Sequence, residues 1–331
     1  MTQILTNKVL PKTIDELLHE FDKRQLELQG VLLTFHTTDK PDVDVYNITA
    51  PFNYEGKQLI AGRTEARTDE ANSVTRFFQH DNERDIWVYD DSLPCFAIQD
   101  PFVVKVHNQW VVGGVRVYTA PDEPSKVIGW DTQIFSGNDL HHLQLLVVGP
   151  FKMKDIRLVE LPNKEIAIFT RPQGEKGGMG KIGFTTVRQL QDITPQVLQD
   201  APIIPELFAD ERNEWGGVNE AHPLDDGLIG VAGHIARYIG DQDSTSLKRQ
   251  YYPLTFVFDP KNHTVINEQI IASRNCFPVT AAKKPDLEDV AFTGGLRMQG
   301  EVATWYGGVS DTSAAILPEI PNPFKLSLKN E

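Results

Sequence analysis

Residues 13 to 28 place Ile14, Leu17, Leu18 and Phe21 at a spacing that shares one helical face, which predicts an amphipathic helix. Thr13 followed by Glu16 supplies a capping-box start, and Gly30 supplies a stop. From Val31 onward the pattern changes to apolar runs of four to seven residues, rich in Val, Ile, Phe and Tyr and broken by Gly, Asn, Asp and Pro. That is strand and turn chemistry, so the rest of the chain reads as mostly β.

The runs repeat in organisation rather than in letters. Five times a polar or acidic residue leads into a short apolar run, a tight polar turn and a second apolar run, starting at Asn47, Gln99, Lys154, Asn219 and Glu288. The turns fall at Gly56, Asn108, Asn163, Asp226 and Gly300, spaced by 52, 55, 63 and 74 residues. A period of that size with only hairpins inside it suits four-stranded propeller blades. The expected fold is all-β, a five-bladed β-propeller with an N-terminal α-helix. Residues 1–30 form the helical extension and 31–331 one domain, and a large β-sandwich with coincidental hairpins is the alternative. With the first run of each repeat innermost, Asn47, Asp100, Asp155, Glu220 and Glu288 or Asp289 crowd one mouth of a central channel. Converging carboxylates need cationic partners or a polar ligand, which points to a polyhydroxylated substrate.

Composition narrows the picture without changing it. The 331 residues are 40% hydrophobic and 24% charged, an ordinary globular chain. No apolar stretch approaches the roughly 20 residues of a spanning helix, and no signal peptide is readable, so the expectation is a cytoplasmic protein with no membrane association. Two cysteines, Cys95 and Cys276, are then expected to be reduced. A net charge of -14 argues against nucleic acid as a partner but leaves room for a small anion, provided the site concentrates cations locally.

Several motifs fail on inspection. GEKGGMGK, residues 174 to 181, lacks the first Gly and the final Ser or Thr of a phosphate loop and reads as a flexible loop. No HExxH, CxxC pair or GxSxG occurs, so neither a metal nor a cofactor is expected. His141 and His142 read as solvated loop residues, and the stretch from Asp241 as a surface turn lacking the Gly and closing Glu of a calcium loop.

The repeat starts resemble, in order, the landmarks of the five-bladed propeller glycosidases and phosphorylases, most closely glycoside hydrolase family 130, whose members phosphorolyse β-mannosides. Asn47 and Arg63 match the first hairpin. AIQDPFV is similar to the motif that carries the catalytic Asp, with Asp100 in its place. Lys154 with Asp155, and Arg171 with Pro172, match the third hairpin. His234 in VAGHIA and the Tyr306 and Asp311 of WYGGVSDT match the fourth and fifth. Whole-chain wording such as EWGGVNEAHPL and FPVTAAKKPDLEDVAFTGGL resembles more closely a bacterial and trypanosomatid family, long catalogued as a domain of unknown function, that includes β-1,2-mannosyltransferase/phosphorylases. Gln99 and Phe102 depart from the family 130 catalytic motif, where Glu and Arg stand.

The residues argue for the reaction class. An inverting glycosidase needs two carboxyl groups flanking the bond, one as acid and one as base. Hydrolytic propellers of this kind usually carry the base where Asn47 stands, and Asn cannot accept a proton at neutral pH. A phosphorylase needs no such base, because phosphate is already an anionic nucleophile. What it needs is a cationic cradle, for which Arg116, Lys154, Arg171 and His234 are the candidates, joined by Tyr306. Asp100 is the expected general acid, and the resemblance implies proton delivery through a sugar hydroxyl. Asn47, Arg63, Glu65, Arg67, Asp155, Glu220 and Asp311 are the expected sugar-binding residues, with Trp215 and Trp305 as candidate stacking platforms. The expectation is an inverting β-mannoside phosphorylase that converts β-1,2-linked manno-oligosaccharides and inorganic phosphate to α-mannose 1-phosphate. The resemblance extends this to mannosyl transfer from GDP-mannose. A hydrolase and a non-catalytic sugar-binding propeller are the alternatives. The N-terminal helix is read as packing on its own propeller or on a partner subunit, which leaves homo-oligomerisation open.

Overall fold

A computed structural model describes residues 10–37, 43–69, 72–240 and 247–325. The stretch from Asp241 and the first nine residues lie outside the described part. The strands follow one another as antiparallel meanders. The first holds Val43–Tyr46, Phe52–Tyr54, Lys57–Ala66, Val74–Asp81 and Ile86–Tyr89. The next holds Gln99–Val106, Gln109–Ala120, Glu123–Gly137 and Gln144–Val148. Arg157–Glu160, Ile166–Thr170 and Gly183–Val187 make the third. Glu214–Pro223, Ile229–Ile239, Lys248–Asp259 and Thr264–Ile270 make the fourth. Asp289–Gln299, Val302–Val309 and Ser313–Pro321 make the last.

The hairpin turns fall where the sequence places them. Gly56, Asn108, Asp226 and Gly300 all have positive φ, and at the third turn Lys164, next to Asn163, takes that conformation. Glu55 and Gly56, at φ 48° and 77°, are both left-handed, as a two-residue hairpin turn requires.

Apolar side chains from neighbouring meanders interlock in sequence. Leu59, Phe77, Trp110 and Val112 join the first to the second, and Val111, Ile134, Leu158 and Ile168 the second to the third. Phe169, Phe184, Phe256 and Phe258 join the third to the fourth. Ala232, Val257, Leu296 and Trp305 join the fourth to the last, and Ala314 of the last packs with Val45, Ile60 and Phe78 of the first. Each fully buried side chain of this size stabilises the fold by roughly 1.5–3 kcal/mol relative to exposure. Two short N-terminal strands tie the ends of this series. Val31–Leu32 pairs antiparallel with the strand Ser313–Pro321, and Phe35–His36 pairs parallel with Ile86–Tyr89.

The N-terminal helix runs Ile14–Lys23 with the expected capping box of Thr13 and Glu16. It stops before residue 28 because Gln25 adopts a left-handed φ of 49° while the Arg24 guanidinium bonds Gln269 Oε1 and the Ile270 carbonyl. The helix packs on its own chain. Ile14 and Leu17 enter the third-to-fourth apolar cluster, Glu214 accepts the Ile14 amide at 2.7 Å, and Asp15 pairs with Arg237 at 2.6 Å. Beside it lies Glu268, 6% exposed, with Oε1 unpartnered. Lys12, Glu20, Arg24 and Glu268 line one cavity of about 250 Å³ there. Among the described residues no helix is long and apolar enough to cross a membrane. Cys95 and Cys276 are free thiols.

Candidate functional site

The first strands of the second, fourth and last meanders are broken. Register shifts fall between Gln99 and Phe102, between Val218 and Glu220, and between Thr293 and Gly295. Asp100 sits in the first of these breaks, Asn47 just after Val43–Tyr46 and Asp155 just before Arg157–Glu160, with left-handed φ of 50°, 47° and 58°. A bulge re-aims the side chain at the break, and bulges gather next to active sites.

Asp100 is 9% exposed. Its Oδ1 accepts the Asn47 side-chain amide at 2.7 Å and faces Arg63 Nη1 at 3.4 Å. Arg63 continues to Glu65, with Nε to Oε2 at 3.0 Å, and lies over the Tyr46 ring. Glu65 is the hub of a buried cluster, accepting from the Tyr46 hydroxyl at 2.5 Å, from Ser73 and from Lys283. Burial first, and then Arg63, push the Lys283 ammonium down to about 8. Asp311 lies near enough to act on Lys283 in the opposite sense. Arg67, one residue past the end of the strand Lys57–Ala66, is half exposed and paired with Asp44 at 2.7 Å.

Asp155 is 1% exposed with both carboxylate oxygens free of hydrogen bonds. Burial opposes its charge, but Lys154, Arg171 and Arg157 together outweigh that and hold the carboxyl below its ordinary range. Arg171 Nε lies 3.5 Å from Asp155 and donates to the Gly216 carbonyl at 2.6 Å, while Nη1 is buried without a partner. His234 Nδ1 lies 2.8 Å from Asn219 Oδ1. Burial, with the cations Arg171, Lys154 and Arg157, lowers its pKa to about 3, so it is neutral near pH 7. Gly217 makes this convergence possible, because a Cβ there would stand 3.0 Å from Arg171, Asp155 and His234 alike.

The GEKGGMGK loop is hydrogen-bonded rather than free. Gly174 and Gly178 bond each other at 2.8 and 2.7 Å, and the loop covers Arg171. A side chain at Gly180, φ 145°, would strike the guanidinium.

Three further residues complete the arrangement, none of them expected at the site from the sequence, although Asn219 opens a repeat. Arg157, 2% exposed, donates to the carbonyls of Asn219 at 2.8 Å and Asp100 at 3.1 Å and so fixes two of the breaks. Asn219 holds His234. Lys283 compensates Glu65.

The other expected residues lie elsewhere. Tyr306 packs in the apolar cluster between the last and first meanders, beside Arg297 rather than beside Lys154, Arg171 and His234. Arg116 lies between the first two meanders, bonding the Ala97 carbonyl at 2.9 Å, and is not among the cations acting on Asp155. Glu220 is one residue past the break, so Asn219 takes the place expected of it. Its own carboxylate bonds the Leu296 amide at 2.6 Å and pairs with His222 at 2.9 Å. Glu288 pairs with Lys248 and Asp289 with Gln250, away from the convergence. Trp215 and Trp305 are core residues, 4% and 0% exposed, with their indoles bonded to Tyr251 and Thr293. Among the described residues no group of three or more His, Cys, Asp or Glu could hold a metal ion.

A family model described as "Protein of unknown function (DUF1861)" matches residues 19–326. The chain belongs to that family. It is similar over 94% of its length to 93% of a mannose phosphorylase from Leishmania mexicana solved with a phosphate ion, at 30% identity and a TM-score of 0.83. A GDP-Man-dependent mannosyltransferase from the same organism gives 32% identity, a TM-score of 0.84, and coverage of 95% and 96%. A β-1,2-mannobiose phosphorylase from Listeria innocua, at 14% identity and a TM-score of 0.56 over 85% and 92%, shares the fold. No curated protein sequence matches.

Proposed function

We propose that this chain is an inverting β-mannoside phosphorylase whose meanders are the blades of a five-bladed propeller, one catalytic domain from residue 31 onward. It cleaves β-1,2-linked manno-oligosaccharides with inorganic phosphate and releases α-mannose 1-phosphate. The observation that carries the reading is the pairing of Asp100 with Asn47 at 2.7 Å, together with a buried cation, Arg171, whose Nη1 has no partner. Asp100 has an amide for a neighbour where a hydrolase places its base. The second buried carboxylate, Asp155, is held ionised by surrounding cations, and a carboxylate so stabilised is a poor base for water.

In this reaction a phosphate oxygen attacks the anomeric carbon from the side of Lys154 and Arg171, and the glycosidic C–O bond breaks. Asp100 supplies the proton that the leaving oxygen needs, through a sugar hydroxyl. Arg171 Nη1, buried and unpartnered, is suited to a phosphate oxygen, since Arg–phosphate hydrogen bonds are about twice as strong as neutral ones. The open oxygens of Asp155 accept sugar hydroxyls. Neutral His234 orients through Asn219 without adding charge. Arg63, Glu65 and Asn47 hold the sugar at Asp100. Mannosyl transfer from GDP-mannose is the second reading, favoured by the 32% identical relative, and it uses the same cations for a phosphate leaving group.

The test is product formation from β-1,2-mannobiose with and without phosphate, alongside GDP-mannose with an oligosaccharide acceptor. Mannose 1-phosphate formed only with phosphate supports phosphorolysis. Free mannose without phosphate would overturn it in favour of hydrolysis.

A further inference from the structure

The strand Gln109–Ala120 and its partner Glu123–Gly137 run on past the end of Gln99–Val106, and on this overhang a second polar cluster stands apart from the phosphate side. Gln99 pairs with Val115, and Arg116 pairs with Asp131 on the next strand out. Asp131 therefore sits two strands from the strand of Asp100, roughly 10 Å away. Its side chain is 5% exposed. Oδ2 accepts the Tyr118 hydroxyl at 2.8 Å, and Oδ1 is buried with no partner. Gln133 Nε2 reaches the Tyr118 oxygen at 3.4 Å. Phe151, 61% exposed, lies with its ring 6.5 Å from that of Tyr118 and gives the cluster an apolar lip.

We propose that Arg116, Tyr118, Asp131 and Gln133 form a subsite for the oligosaccharide on the leaving-group side of Asp100, binding a sugar one or two units beyond the scissile bond. This rests on the mannoside reading above and assigns the part of the substrate that does not react.

The chemistry selects a neutral polyhydroxyl ligand. A buried carboxylate oxygen without a donor takes a sugar hydroxyl, since an unmet buried acceptor is costly and a hydroxyl satisfies it. Arg116 supplies complementary donors, while the Tyr118 oxygen, its proton given to Asp131, offers an acceptor. An exposed aromatic beside them suits the apolar face of a pyranose. Phosphate does not fit, because Asp131 stands directly across the strand from Arg116 and would repel it. Burial, the largest influence, raises the Asp131 carboxyl, against Tyr118, Gln133 and Arg116, which act in the opposite sense.

The experiment follows tryptophan fluorescence during titration with β-1,2-mannotriose, and separately with inorganic phosphate, in the wild type, Asp131→Asn and Tyr118→Phe. The same proteins are assayed for mannose 1-phosphate release. The expected result is triose binding weakened about tenfold or more in Asp131→Asn and less in Tyr118→Phe, with phosphate affinity unchanged. Should Asp131→Asn unfold, Tyr118→Phe and Arg116→Gln carry the same comparison. Triose binding equal to wild type in the folded variants overturns the subsite, as does a wild type that binds no manno-oligosaccharide. Triose binding that depends on Asp131 in a protein releasing no mannose 1-phosphate would keep the subsite and sink the phosphorylase reading alone.

Discussion

Asn47 and Asp100 stand 53 residues apart in sequence, share left-handed backbone, and meet through a 2.7 Å hydrogen bond from the Asn47 amide to the carboxylate. An amide beside the carboxylate orients it without competing for its proton. Replacing Asp100 with Asn keeps the shape and removes the acid. Turnover is expected to fall by about 10²–10⁴, the usual contribution of general acid catalysis, while oligosaccharide binding persists. Steady-state rates paired with binding titrations would reveal it, and an unchanged rate would remove Asp100 from the mechanism.

Arg171 and Asp155 are buried together at 3.5 Å. Arg171→Met would leave the Asp155 carboxylate with less compensation in a dry site. A loss of about 3–5 kcal/mol in stability is expected, together with a large rise in KM for phosphate. Denaturant unfolding and phosphate-dependence curves test the two effects separately. Retained phosphate affinity would exclude Arg171 from the cradle.

Lys283 pairs with Glu65 inside the site but holds its proton only up to about pH 8. Activity is therefore expected to decline above pH 8 as the ammonium becomes neutral and Glu65 loses its partner. Lys283→Arg should push that limb to higher pH, since guanidinium stays charged. A kcat/KM profile identical in the two proteins would contradict the assignment.

Glu268, beneath the N-terminal helix, is pushed up to about 8 by burial. A carboxyl raised in the folded state keeps its proton there, while the unfolded chain releases it above the ordinary value of 4.5. Stability from this group is thus lost as pH rises from about 4.5 to about 8. Glu268→Gln should match the wild type at about pH 4 and exceed it by a few kcal/mol at about pH 8, because each pH unit between those limits costs the wild type about 1.36 kcal/mol. Melting curves across that range decide the matter, and parallel curves for the two proteins would refute it.

Local chemistry was legible in the sequence where one residue decides the outcome. The Thr13–Glu16 cap and the turns at Gly56, Asn108 and Gly300 depend on a few neighbouring atoms, and the structure has them. The site depends on register instead. A break between Val218 and Glu220 moves the functional position by one residue, so Asn219 rather than Glu220 holds His234. A one-residue slip reverses which face a side chain takes, and no local pattern announces it. Arg157 and Lys283 were hidden for a different reason. One bonds backbone carbonyls of two other meanders, and the other lies on an irregular segment outside the repeat.

The two short strands at Val31–Leu32 and Phe35–His36 attach to the last and first meanders, nearly the whole chain apart. During synthesis Phe35–His36 meets its partners Trp87 and Val88 early, but the partner of Val31, Ile316, is made long after it, so Val31–Leu32 must wait unpaired. Contacts of such sequence separation are formed late and slowly. A chain truncated before Ser313 would therefore expose the edges of two meanders at once, an aggregation hazard to which a loss elsewhere on the surface would not lead.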